Sequence, residues 1–321
     1  MKINTVTGPI EAQNLGVTLI HEHFFFGYPG WYGDISIYRP DRQTLLNKGL
    51  EMARTLMDRG VKTVLDATTN ETGREAELLK EISERTGLQV ICSTGYYYER
   101  GSAPAYFKAR SGLGRVEEEI YEMLLTETTV GIGGTGIKAG VIKVASSRDH
   151  ITNYEQWFFR AAARVSRETG IPIITHTQEG SLGPEQAEFL IGEGVHPKRI
   201  MIGHMCGNTN LSYHIKTLEF GVYIGFDRFG VEGVVGMPPD RLRIACLITL
   251  IALGYGDRIL ISQDYVHHWL GRPGMERLAS NSNPVHLFQN IIPALKKAGL
   301  SAEQVASLLK DNPKRFLGGG T

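Results

Sequence analysis

Two histidines one residue apart, His21 and His23, end the apolar run Val17-Thr18-Leu19-Ile20. In a strand, residues i and i+2 project from the same face, so both imidazoles point one way and form a ready pair of metal ligands. A histidine on an apolar face is otherwise a hydrogen-bonded core residue, and a pair this short does not decide between the two. Its place at the C-terminal end of a strand favours chemistry, because parallel α/β folds build their sites on that edge.

Further residues of the same kind sit at the ends of other apolar runs. Lys143 lies in Val141-Ile142-Lys143-Val144, His176 in Thr175-His176-Thr177, His204 follows Gly203, and Asp264 follows Ser262-Gln263. Imidazole and carboxylate donors on several strand ends suit zinc, or cobalt, iron and manganese, which accept the same atoms. Lys143 is the exception, since an ammonium has three donors and no lone pair and cannot bind a cation. Read alone, it is a buried lysine paired with a carboxylate or one reaching to water from the strand end.

These residues need a scaffold that brings strand ends together. Strand patterns begin near residues 17, 61, 89, 140, 171, 200, 222 and 259, separated by amphipathic helix patterns near 42–59, 74–86, 116–126, 155–169, 184–193, 211–219 and 240–253. Eight strands alternating with helices predict a (β/α)8 TIM barrel, with closing helices over 283–295 and 302–309 and one domain over 1–321. A doubly wound sheet would spread the same strand ends along a line. The start reads as a cap hairpin with strand Ile3–Val6 and a turn at Gly8-Pro9, and the run Ile244–Leu253 reads as a buried helix. The loop after His23 carries Phe24, Phe25, Phe26, Tyr28, Trp31 and Tyr32, a pocket wall or a subunit contact.

Composition excludes several classes. Lys and Arg together number 34, as do Asp and Glu, and this balance leaves no field to attract nucleic acid or an acidic membrane. No apolar run approaches the roughly 18 residues of a membrane span. Cys92, Cys206 and Cys246 are few and scattered, which suits a reducing cytoplasm better than a disulfide framework.

The set His21-x-His23, Lys143, His176, His204 and Asp264 resembles the phosphotriesterase family of the amidohydrolase superfamily, over nearly the whole chain from Thr18 to Asn312-Pro313-Lys314-Arg315-Phe316-Leu317. Within it the chain is most similar to the phosphotriesterase-like lactonases, through Gly95-Tyr96-Tyr97, Gly225-Phe226-Asp227-Arg228-Phe229-Gly230 and a short seventh loop. The resemblance implies two divalent ions, one held by His21, His23 and Asp264 and the other by His176 and His204. Between them would stand a hydroxide and Lys143 modified to a carbamate by carbon dioxide. It further implies Asp264 as proton acceptor and Tyr97 and Arg228 at the substrate. The activity implied is opening of lactones, including the quorum-quenching hydrolysis of N-acyl homoserine lactones, with promiscuous hydrolysis of organophosphate triesters. A phosphotriesterase proper is the alternative, and a homodimer is expected. One departure is Gly207, where the family often has an aspartate relaying protons from Asp264; either Asn208 or Asn210 substitutes, or protons leave directly to water. Phe24, Tyr28, Tyr97, Arg228, Phe229 and Trp269 are expected to line the pocket. Adjacent His267 and His268 point opposite ways in an extended segment and are not expected to be ligands.

Overall fold

The computed structural model describes residues 2–34, 36–38, 40–233, 237–278 and 283–319. The chain opens with an antiparallel hairpin, β1 (Lys2–Thr5) and β2 (Gly8–Glu11), in which Thr5 pairs with Gly8. The turn is therefore Val6-Thr7 and not Gly8-Pro9. Gly8 takes a φ of +118° that lets the chain reverse one step earlier, and Pro9 is tolerated in a strand with a free edge.

Eight parallel strands follow: β3 (Val17–Phe26), β4 (Val61–Asp66), β5 (Gln89–Gly95), β6 (Val141–Ser146), β7 (Ile173–Thr177), β8 (Ile200–Ile202), β9 (Tyr223–Phe226) and β10 (Ile259–Ile261). They pair in sequence order and curl into a (β/α)8-like barrel. A ninth strand, β11 (Val266–Trp269), was not expected from the sequence. It pairs with the far end of β3, which outruns its neighbours and leaves free backbone groups for it.

Helices α1 (Arg42–Met57), α2 (Ala76–Thr86), α3 (Pro104–Ser111), α4 (Val116–Thr129), α5 (Asn153–Thr169), α6 (Gly183–Gly192), α7 (Leu211–Glu219) and α8 (Asp240–Ala252) surround the sheet. α3 escaped the periodicity reading because only Phe107 of its eight residues is buried. α8 is not the buried helix expected: Cys246, Leu247 and Leu250 face the barrel, while Leu253 beyond its end is 55% exposed. A ten-residue run that is apolar except for Thr249 puts apolar side chains on every face of a helix, and the barrel covers only one. Helical turns over 287–297 and 302–317 close the chain.

Strand alternation divides the core into two shells. Leu19, Val64, Val90, Ile142, Val144 and Ile224 pack outward against the helices. Ile20, Leu65, Ile91, Val141, Ile174, Met201, Tyr223 and Leu260 fill the barrel interior, plugged below by Ile3, Leu15, Phe316 and Leu317. Two residues further along, the inward positions become Lys143 on β6 and His176 on β7, and four beyond Tyr223 comes Asp227, just after β9. On β3 the pairing with β4 shifts by one between Leu19 and Glu22, a bulge that lets Ile20 face the interior and His21 and His23 still project into the layer above.

Gly95 shows how tightly this layer is built. It takes a φ of +130°, and a Cβ placed there would overlap the carbonyl oxygen of Lys143 on the neighbouring strand. Gly95→Ala is expected to combine backbone strain with overpacking and to cost about 3 kcal/mol, read as a lower urea midpoint at unchanged m-value.

Candidate metal centre

The structure brings His21, His23, Lys143, His176, His204 and Asp264 together at the C-terminal mouth of the barrel, in the wall of a cavity of about 550 Å³. Of the two carboxylates among these imidazoles, one faces the cavity and the other stands behind it.

Asp227 stands behind. It is fully buried, and its Oδ2 accepts from His21 Nδ1 at 2.9 Å while its Oδ1 accepts from His204 Nδ1 at 3.0 Å and from the His204 amide at 2.8 Å. Burial alone would raise this carboxyl, but the imidazoles of His204 and His21 and their hydrogen bonds hold it well below the usual carboxylate range. Two Nδ1–H groups spent on one carboxylate leave both Nε2 lone pairs turned inward. His23 is oriented in the same way by Thr68, whose hydroxyl donates to the Phe25 carbonyl at 3.1 Å and so must accept from His23 Nδ1 at 2.8 Å. His176 is fixed the other way round: its Nε2 donates to Gln178 Oε1 at 2.8 Å, which frees Nδ1.

Asp264 faces the cavity. Its Oδ1 lies 3.0 Å from His23 Nε2 and 3.4 Å from His21 Nε2, and its Oδ2 lies 3.8 Å from His204 Nε2. Burial works to raise it as well, and the imidazoles of His204 and His21, the Arg228 guanidinium and the close approach of His23 outweigh that effect, so it is ionised far below neutral pH. Burial lowers His21 to about 3 and His204 to about 4, and drives His176 well below its ordinary value. Neutral imidazole lone pairs and an ionised carboxylate thus converge, acceptor facing acceptor. Such a gathering favours cations: Arg228 and Lys143 stand beside it, and the donor set fits divalent metal. Among the described residues, His21, His23 and Asp264 bring their ligand atoms within one ion's reach. Burial, opposed by Asp264 and Asp227, lowers Lys143 to about 8, and its Nζ sits 3.1 Å from His21 Nε2.

Strain marks the same place. Of four non-glycine residues with positive φ among the described residues, two are His204 at +58° and Asp264 at +52°. Each lies just past a strand end, where the backbone turns sharply to aim a side chain into the mouth.

Around this centre the cavity wall contains Tyr28, Tyr97, Arg228, Phe229 and Trp269, as expected, together with Phe26, Tyr98, Val231 and Met237. Phe24 is a correction. It follows His23 along the strand, so it points to the opposite face and is fully buried against the helices. Tyr98 lies parallel to the His176 ring at a centroid distance of 5.5 Å, and no periodic pattern could have announced it. His267 and His268 are outside the cavity wall, and Arg272 pairs with Asp34 on the surface. Asn208 donates to the Gly180 carbonyl and Asn210 caps α7, so neither replaces the aspartate missing at Gly207. Asp264 instead pairs with Arg228 Nε at 2.8 Å.

The loops that carry these side chains are held by residues without a sequence signature. The Tyr97 amide donates to Glu71 Oε1 at 2.7 Å. Arg243, 1% exposed, donates to the carbonyls of Arg228 and Val231 at 2.6 Å each and to Asp240 at 2.8 Å, clamping the seventh loop from within. Residues 234–236 of that loop and 279–282 of the eighth lie outside the described residues.

Comparison with known proteins agrees with this geometry. Residues 1–317 match the phosphotriesterase family. An aryldialkylphosphatase of Saccharolobus solfataricus is 34% identical over 313 residues, spanning 96% of each chain. The organophosphorus hydrolase of Deinococcus radiodurans superposes with a TM-score of 0.97 at 54% identity, over 99% of this chain and 97% of that one. A structure described as organophosphate hydrolysis activity engineered from a weak promiscuous lactonase template gives a TM-score of 0.97 at 52% identity, over 99% of this chain and 100% of that one. The chain belongs to the phosphotriesterase family and is a metal-dependent hydrolase.

Asp227→Asn is expected to leave one imidazole without its acceptor and to weaken divalent-metal retention about 10- to 100-fold. Chelator competition on the folded variant, checked by circular dichroism, measures it.

Proposed function

We propose that this enzyme opens lactones, N-acyl homoserine lactones among them, and hydrolyses organophosphate triesters as a weaker side activity. The observation that supports the reading most is the cavity wall: Phe26, Tyr28, Tyr97, Phe229, Val231, Met237 and Trp269 form an aromatic and aliphatic lining that ends at the Lys143, His176 and Asp264 cluster. Such a wall suits an acyl chain, with the carbonyl turned toward the polar floor. A sugar phosphate would call for clustered cations. The second reading, a phosphotriesterase proper, draws support from the relatives described as aryldialkylphosphatase and organophosphorus hydrolase.

In this reading His21, His23 and Asp264 hold one divalent ion, zinc or cobalt, iron or manganese. His176 and His204 would hold a second, and Lys143, as a carbamate, would supply further oxygen donors. When bound, the ions supply Lewis-acid polarisation of the scissile carbonyl or phosphoryl oxygen and acidify the attacking water. The protein does the rest. Burial keeps part of the Lys143 population as neutral amine near neutral pH, the form that adds carbon dioxide. Asp264, ionised and with its side chain 14% exposed at the cavity floor, receives the proton of the attacking water and passes it to solvent, since Asn208 and Asn210 are both turned away. Arg228 holds the second oxygen of that carboxylate and presents its remaining donors to the substrate. Burial raises Tyr97 well above an ordinary phenol, so its hydroxyl stays protonated and can donate to the departing ring oxygen. A homodimer in the cytoplasm completes the reading. Among the described residues no helix is long and apolar enough to cross a membrane, and the three cysteines are free.

Metal analysis with parallel kinetics on short- and long-chain acyl homoserine lactones and on paraoxon tests the assignment. The expected outcome is a lactone kcat/KM that exceeds the triester value by orders of magnitude; the reverse order selects the second reading. Trp269→Ala should weaken long-chain lactones, at about 0.8 kcal/mol per methylene exposed, and help bulky triesters. An equal fall on both would make Trp269 a support for the roof only.

Tyr97→Phe removes one hydroxyl and keeps the ring. Lactone kcat is expected to drop about 100-fold with KM little changed, the mark of an interaction made only in the transition state. An unchanged kcat would remove Tyr97 from the chemistry.

A further inference from the structure

Between the two histidines lies Glu22, a carboxylate with no exposure to solvent. A carboxyl group in such a place is costly unless its lone pairs are used. Here the donors are particular. Glu22 Oε1 accepts from Ser262 Oγ at 2.7 Å and from the Gln263 amide at 3.0 Å, and Oε2 accepts from the Tyr265 amide at 2.9 Å.

Those donors lie at the seam of the barrel. β3 and β10 form no ladder with each other, because the chain leaves β10 after Ile261 and rejoins β3 only as β11 from Val266. The intervening residues cross the gap with the Asp264 amide donating to the His21 carbonyl at 3.0 Å and the His23 amide to the Tyr265 carbonyl at 2.9 Å. The amides on either side of Asp264 have no strand to bond, and one carboxylate takes both. Ser262 extends the bracket, since its Oγ also accepts from the His21 amide at 3.1 Å. Between the two tethered amides Asp264 adopts its left-handed φ of +52°, a conformation an unrestrained aspartate would relax.

We infer that Glu22 is a positioning residue for the metal centre: it closes the seam between the first and eighth barrel strands and, by holding the residues on both sides of Asp264, fixes that carboxylate opposite His21 and His23. The inference rests on the metal-holding role given to Asp264 above. It explains why an acidic residue separates the two histidines when the alternation of the strand sends it away from the cavity. All three donors demand acceptors, which both oxygens of a carboxylate supply. A glutamine supplies one, and its NH2 must then face an N–H or O–H.

The test uses Glu22→Gln and the milder Ser262→Ala, which loosens the same bracket without touching the carboxylate and serves where Glu22→Gln fails to fold. Each protein is stripped of metal, then melted and titrated with zinc in bicarbonate buffer. A merely structural role lowers the apo and zinc-loaded melting temperatures by equal amounts and leaves zinc affinity unchanged. Positioning predicts a smaller zinc-induced rise in melting temperature, zinc affinity weaker by about 10- to 100-fold, and a lower kcat at similar KM under saturating zinc. Equal zinc-induced rises and equal affinities in wild type and both variants overturn the inference alone. A wild-type chain that gains nothing from zinc, cobalt or manganese overturns the metal-centre reading and this inference with it.

Discussion

Acceptors facing acceptors are the constraint on which the site depends. The Nε2 atoms of His21, His23 and His204 all turn toward Asp264, their Nδ1 protons committed on the far side to Asp227 and Thr68, and the donors on the near side are cationic groups, Arg228 on Asp264 and Lys143 on His21. Electrostatics then favours cations at this point, and a buried, well-bonded second layer holds the arrangement. The family's metal dependence therefore has a cause visible in the protein's own geometry: the imidazole tautomers are set by groups behind the centre, Asp227 and Thr68.

That second layer also explains the shape of the barrel mouth. Asp227 ties the first strand to the sixth and seventh, Glu22 ties the first to the eighth, and Gly95 lets the third approach the fourth closely enough to seat Lys143. The bulge in β3 serves the same end, adding one residue so that an apolar interior layer and a polar layer above it share a face. Outside this rigid ring stand the loops, held by Glu71 under Tyr97 and by Arg243 inside the seventh loop. A rigid floor with separately anchored walls lets one chemistry serve different substrates, because the walls can change without moving the ligands.

Much of this was legible in the chain itself. Apolar runs that carry or lead into His21-x-His23, Lys143, His176, His204 and Asp264 locate the strands, and period-2 alternation assigns His21 and His23 to one face. The barrel follows from eight strand patterns alternating with helices. The misses have definite causes. Phe24 was expected in the pocket because it belongs to an aromatic cluster, yet the same alternation that aims His23 inward turns Phe24 outward. β11 went unseen because Val266–Trp269 has no alternation of its own and forms a strand only where β3 runs past its neighbours. The hairpin turn fell at Val6-Thr7, where no residue advertises it, since the glycine that permits it begins the returning strand.

The sequence by itself determined the candidate ligands, the order of the eight barrel strands and the face that His21 and His23 share, because those depend on residue type and on local periodicity. The tertiary structure alone decided which groups orient them. Asp227 reaches His21 across 206 positions and Glu22 reaches Ser262 across 240, distances over which no local pattern carries information. Whether a buried carboxylate binds a cation, braces an imidazole or closes a seam depends on the donors that surround it. Asp264, Asp227 and Glu22 look alike in the chain and differ only in what the closed barrel places opposite them.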